Sequence, residues 1–287
     1  MDRLVFWPGL FGILVLIAGL VVAWPYVRSR CGFDKLIALG CVFYAAPLAT
    51  FSAEHLFNAK ALAQLVPPWM PARLFWAYLV GVALLAAALS LAFKRYVRWS
   101  SLLLAIMFGG FVVMLHIPNV IETHAKLRLF WVLVGRDFSF GAAALALFAT
   151  QLSDRPLAER LIFAVRISLG VILVYYGVQH ILHPEFAPGV PLTLRTPAWV
   201  PMPLAFAYLV GGVLVICGVA LIFNWLARGA AIYVGLVMTL LTLLLFTPIL
   251  VMARGVGPVL VGINYVADTL LYGAAMLLLA DALPRRA

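Results

Sequence analysis

The chain has 287 residues, of which 66% are hydrophobic and only 10% charged, and its mean hydropathy is +1.12. That composition excludes a soluble globule with one buried core and a polar surface, and it demands lipid as the solvent for much of the chain. The formal net charge of +10 does not point to nucleic acid, because the basic residues are scattered among connectors and form no stripe with interleaved aromatics.

A hydrocarbon core of about 30 Å needs roughly 20 apolar residues to cross it in a helix. Stretches of that kind recur nine times, near 4–27, 35–57, 73–93, 99–118, 128–150, 160–182, 203–223, 229–250 and 259–281. They are nearly continuous in Leu, Val, Ala, Ile and Phe rather than alternating with period two, which predicts an all-α polytopic membrane protein and argues against a barrel. The first stretch lacks a basic leader and a small-residue cleavage site before Arg28, so it reads as a retained helix. Short polar or Pro-rich connectors leave no room for a soluble domain.

Alternate connectors differ in charge. One set holds Arg28, Arg30, Lys35, Lys94, Arg95, Arg98, Arg155, Arg160, Arg228, Arg285 and Arg286; the other holds Arg3, Lys60, Arg73, Lys126, Arg128, Arg195 and Arg254. The positive-inside rule then predicts an outer N-terminus and a cytoplasmic C-terminus, with Trp24, Trp99 and Trp225 at the inner interface and Trp69, Trp131 and Trp199 at the outer one. Cys31, Cys41 and Cys217 form no C-x-x-C pair and read as small apolar packing residues.

The chain resembles itself. Phe51-Ser-Ala-Glu-His-Leu matches Tyr176-Gly-Val-Gln-His-Ile at an offset of 125, pairing Glu54 with Gln179 and His55 with His180. After a five-residue insertion in the second copy, Pro67-Pro-Trp-Met-Pro matches Pro197-Ala-Trp-Val-Pro, and Ala77-Tyr-Leu-Val-Gly recurs at Ala207 with an offset of 130 that holds through Arg98 with Arg228 and Pro118 with Pro248. Asp137 and Asp268 complete the match with a one-residue slip. The expected architecture is an added helix (1–30) followed by two four-helix units (31–153 and 154–287). An even number of helices per unit gives both units the same orientation, related by a pseudo-twofold axis along the membrane normal.

Polar groups inside a bilayer face the protein interior, a cavity or the interface. His55, His116, His124, His180 and His183 fall at outer helix ends in this topology, with Glu54, Glu122 and Glu185, while Asp137 and Asp268 lie deeper. They suggest an outward-opening chamber with Glu54/His55 and Gln179/His180 as symmetric groups and Asp137 and Asp268 as its floor, where histidines and carboxylates exchange protons. Tyr176, Asn264 and the loop residues Trp69 and Trp199 are candidate ligand contacts. The plainer reading makes the histidines interfacial caps and gives the aspartates interhelical bonds, Asp137 to an arginine and Asp268 to Asn264 or a tyrosine. Arg136 precedes Asp137, and helical neighbours diverge by about 100°, so the two are expected to have different partners. Arg166 is expected to snorkel toward the inner headgroups. No metal site is expected: His180 and His183 have the i,i+3 spacing, but the first copy carries Asn58 at the position of His183.

A helix opening with a basic residue and ending in Gly-x-x-His, a Pro-x-Trp-x-Pro loop and then Tyr-Leu-x-Gly together resemble the DoxX-like family of small bacterial four-helix membrane proteins. Arg166, Gly177, His180, the loop from Pro197 to Pro201 and Tyr208 to Gly211 carry the likeness, and the first copy departs from it with Cys41 in place of the arginine. Neither helix after the Pro-Trp loop has the glutamate found in many members. The resemblance implies the bacterial inner membrane, and some relatives are implicated in membrane redox work, including thiosulfate:quinone oxidoreductase subunits. Three functions stay open: a membrane oxidoreductase or quinone-interacting subunit, a binder or carrier of a small hydrophobic molecule, and an accessory subunit for other membrane proteins.

Overall fold

The computed structural model describes residues 2–123 and 126–285, so His124 and Arg286 lie outside the described residues. It is all-helical apart from one isolated bridge between Phe186 and Arg195. The helices are α1 Arg3–Arg28, α2 Asp34–Ala38, α3 Gly40–Phe57, α4 Ala59–Leu62, α5 Arg73–Ala92, α6 Val97–Glu122, α7 Arg128–Thr150, α8 Arg155–Leu182, α9 Pro203–Ile222, α10 Ala227–Met252 and α11 Val256–Ala282. Asp2 caps α1 by accepting from Leu4 N at 2.9 Å, and Asp154 caps α8 by accepting from Leu157 N at 3.0 Å.

Eight of these helices are long and apolar enough to cross a membrane, against the nine stretches in the sequence. The difference is the second stretch, which breaks at Leu39 into α2 and the 18-residue α3. Helix α3 packs against α1, α5 and α11, and its carbons meet protein more than lipid. It therefore carries Thr50, Ser52, Glu54 and His55, which lower its hydropathy without facing hydrocarbon. Ser52, fully buried, donates to Gly81 O of α5 at 2.7 Å. The outer surfaces of the other helices expose Ile13, Ile17, Val82, Ile106, Leu209 and Ile216, and membrane-spanning helices place this surface against lipid.

Packing follows a regular order. Helix α3 lies on α5 and α8 on α9; α6 lies on α7 and α10 on α11; α7 touches α8 as α11 touches α3, and α7 and α11 meet at the centre. Local geometry recurs as well. Ala72 and Met202, Lys94 and Asn224, and Tyr96 and Leu226, each pair 130 positions apart, adopt the left-handed conformation that non-glycine residues avoid. Helices α6 and α10 each contain a π-turn, Val112–His116 and Thr242–Phe246, directly before Pro118 and Pro248. Proline has no N–H to continue the ladder and crowds the carbonyl four residues back, and the widened turn absorbs both defects. Thr247 Oγ1 donates to Thr242 O at 2.7 Å across the second of these turns.

Helices α8 and α9 approach closely, backbone to backbone. A Cβ on Gly177 would lie 2.5 Å from Gly211 O, and one on Gly218 would lie 2.7 Å from Gly170 O. Helices in lipid associate by van der Waals contact, and side chains reduced to hydrogen let the backbones approach.

Candidate functional site

Four helices bring a polar cluster of five residues into the bundle. Arg136 and Asp137 come from α7, about 12 Å along the axis from its start. Asp268 comes from α11, His116 from the π-turn of α6, and Glu54 from the last turn of α3. Arg136 Nε donates to Asp137 Oδ1 at 2.8 Å and Nη1 donates to Asp268 Oδ2 at 3.0 Å, while His116 Nε2 lies 2.7 Å from Asp137 Oδ2. Both aspartates are almost wholly enclosed, with 6% and 3% exposure. One guanidinium thus joins two carboxylates on the two central helices.

This corrects the expectation that Arg136 and Asp137 have different partners. Their Cα–Cβ bonds do diverge, but the arginine stem is long enough for Nε to swing back around the helix while Nη1 reaches across to α11. The aspartates do make interhelical bonds, Asp137 with His116 of α6 and Asp268 with Arg136 of α7 rather than with Asn264 or a tyrosine.

Around this chain lie further polar atoms. The Glu54 carboxylate faces the Asn264 side chain and is within electrostatic reach of Asp268 and Arg136, yet its Oε1 is buried without a partner. Asn264 Nδ2 itself donates to Leu260 O at 3.1 Å. Tyr176 is fully buried, donates to Val132 O at 2.8 Å, and places its ring 5.5 Å from that of Tyr272. Thr269 Oγ1, beside Asp268 on α11, is enclosed and unpaired, and the Tyr272 hydroxyl, one turn beyond, is enclosed within reach of the Ser139 side chain. Buried polar atoms of this kind are ordinarily satisfied by water.

The remaining sequence candidates lie apart from the aspartates. His55 turns Nδ1 to Phe51 O of its own helix at 2.9 Å. His180 is fully buried and holds the loop after α8, with Nε2 3.1 Å from Gly189 N and 3.0 Å from Gly189 O. That loop folds inward: Ala187 to Pro191 are all buried, Arg128 donates to Pro191 O and Leu192 O at 2.9 Å each, and the Tyr265 hydroxyl accepts from Leu194 N at 2.8 Å. It coincides with the insertion that distinguishes the second copy. Gln179 Oε1 is buried and unpaired. Trp69 and Trp199 stand on the surface, 70% and 46% exposed.

Arg166 does not snorkel. It is 5% exposed and donates to Leu221 O and Ile222 O, the last carbonyls of α9, with its guanidinium 5.2 Å from the Phe163 ring centre. Those carbonyls lie in the last turn of the helix and carry the negative end of its dipole, so a buried cation finds acceptors there without reaching water. Among the described residues no group of three or more His, Cys, Asp or Glu is placed to hold a metal ion; His183 instead pairs with Glu185 at 3.7 Å on the surface.

His116 and Arg136 are the site residues that the repeat comparison passes over. Each departs from the repeat, with Phe246 and Ala267 at the matching positions, and an unmatched ionisable residue within an apolar stretch is the signal that identifies them.

Two families match parts of the chain. Residues 161–248, from α8 to near the end of α10, match DoxX, and residues 44–126, from α3 to the end of α6, match a domain of unknown function (DUF8561). No curated protein and no solved structure matches it. The likeness to DoxX therefore holds for residues 161–248, and residues 44–126 are matched by a different family. The chain is a polytopic membrane protein that carries a DoxX domain over residues 161–248 behind an N-terminal DUF8561 domain.

Proposed function

We propose that the chain is an oxidoreductase, or the quinone-interacting subunit of one, in the bacterial inner membrane, and that His116, Asp137, Arg136, Asp268 and Glu54 exchange protons with a lipid-soluble carrier. In this reading the two four-helix units, 31–153 and 154–287, share one ancestry and one orientation. The recurrence of left-handed turns and π-turns 130 positions apart supports the first part. The basic connectors support an outer N-terminus, which puts His55 and His180 toward the outer face.

The observation that carries the reading is a charge count. Arg136 supplies one positive charge against two carboxylates in a low-dielectric interior, so the trio is one proton short of neutrality, and His116 stands 2.7 Å from Asp137 to hold that proton. Glu54 offers a third carboxylate toward the face where α3 ends. Reducing a quinone takes two electrons and two protons; a proton relay of this kind supplies the protons, and the electrons come from a partner redox protein. The test is quinone-dependent turnover of the purified protein with an added electron donor, compared with His116→Gln, which leaves both Arg136 bridges in place. Loss of turnover with an unchanged unfolding temperature is expected. A protein without bound quinone and without quinone-dependent turnover refutes the proposal.

A second reading rests on Arg136 being engaged at both ends: the cluster is a structural clamp between α7 and α11. Under it, His116→Gln changes only stability.

A further inference from the structure

On the face opposite the ends of α3 and α8, the turn between α9 and α10 and the chain beyond α11 enclose a cavity of about 180 Å³. It is lined by Asn224, Ala227, Arg228, Gly229, Leu283 and Arg285, and at roughly 30 Å³ per water it has room for several waters or one small anion. Arg228 Nη2 donates to Asp34 Oδ1 at 2.6 Å, and Arg285 Nη2 donates to Asp34 Oδ2 at 2.9 Å. Two guanidinium groups therefore share one carboxylate. The hydrogen bond from Arg228, with the charges of Arg228, Arg285 and Arg30, holds Asp34 below the usual carboxylate range, so it is ionised and one positive charge of the pair stays uncompensated.

Two further features belong to the same residues. Arg228 Nε is buried without an acceptor, which leaves a charged donor both desolvated and unpaired. The first turn of α10 has no side-chain cap for its free amides, and Ala227, Arg228 and Gly229 of that turn line the cavity. In the same turn as the lining residues Asn224 and Leu226, Phe223, Trp225 and Leu226 are 76%, 70% and 67% exposed, an aromatic and aliphatic edge suited to the membrane interface.

We propose that this cavity binds a phosphate group, of the kind carried by an anionic phospholipid headgroup or free in solution. The guanidinium edges and the amides of α10 supply donors to its oxygens, and the surplus arginine charge neutralises it. The exposed rim favours the lipid, whose chains lie along Phe223 and Trp225. The equivalent turn of the first unit lacks the parts: Arg98, 130 positions before Arg228, rests 5.9 Å over the Trp99 ring.

Native mass spectrometry of the full chain in detergent, titrated with phosphatidylglycerol, with diacylglycerol and with inorganic phosphate, tests it. Phosphatidylglycerol is expected to bind at least tenfold more tightly than diacylglycerol, and Arg285→Gln, which leaves the Arg228–Asp34 bond intact, is expected to weaken it several-fold. Arg228→Gln with Arg285→Gln should abolish the preference, and Arg98→Gln, an equal loss of charge, should not. Competition by millimolar inorganic phosphate would assign the site to free phosphate, and its absence to the lipid. Equal binding of the two lipids together with no binding of inorganic phosphate, or retention of the preference in Arg285→Gln and in the double variant, overturns the proposal.

Discussion

Replacing Arg136 by Gln is the most informative single change in this fold. The substitution keeps a hydrogen-bonding head but removes the charge that meets Asp137 at 2.8 Å and Asp268 at 3.0 Å. Each such pair attracts by about 4 kcal/mol at an effective dielectric of 20 and a charge separation of 4 Å, and breaking a buried pair from one side costs about 3–5 kcal/mol because the partner stays buried and uncompensated. Here two carboxylates are stranded, one of which retains His116, so the loss is expected in that range or above. Asp268→Asn behaves differently. It removes one of two negative charges beside a single positive one and keeps an acceptor for Nη1, so its effect should stay within about 1 kcal/mol, the scale of one hydrogen bond. The double variant Arg136→Gln, Asp268→Asn should recover at least half of what Arg136→Gln loses. Reversible unfolding in mixed detergent micelles, followed by circular dichroism, measures all three. If Asp268→Asn is as damaging as Arg136→Gln, or if the double variant recovers nothing, the charge count does not govern this cluster.

Gly177→Leu should separate α8 from α9, since a Cβ there meets Gly211 O at 2.5 Å and Val215 Cγ2 at 2.6 Å; a loss of at least 1–3 kcal/mol is expected by the same unfolding measurement. Gly212→Leu, where nothing lies within 4 Å, is the control, and equal unfolding of the two variants would contradict the close approach. The folded state lowers the pKa of Asp34 chiefly through the Arg228 hydrogen bond, so its contribution is present above the unfolded value of about 3.9 and fades as pH falls through the lower folded value. Asp34→Asn should therefore lower the unfolding temperature at pH 7, with the difference from the parent shrinking below about pH 4. A difference that does not change between pH 7 and pH 3 would contradict the ion pair.

Eight of the nine apolar stretches were legible as crossing helices, because hydropathy depends on local composition alone. Pro118 and Pro248 foretell disturbed helices at matching places, and the turns at Lys94 and Asn224 recur with the sequence around them. The second stretch was the exception. Its composition is that of a crossing helix, and its break at Leu39 and its burial against α1, α5 and α11 depend on neighbours distant in sequence.

The polar residues divide in the same way. Lipid does not tolerate a bare carboxylate, so Asp137 and Asp268 had to face protein whatever the fold, and that much was determined by the sequence alone. Which group would meet them was not. Side-chain reach and helix contacts decided that Arg136 bridges both and that a widened turn presents His116, while His180, equally prominent in the sequence, holds a loop backbone instead. Arg166 likewise found carbonyls at the end of α9 rather than headgroups, because the nearest acceptor in space was supplied by a segment some 55 residues away. Periodicity and hydropathy follow from the solvent each segment meets. The pairing of charges follows from which helices lie side by side, and only the tertiary structure supplies that.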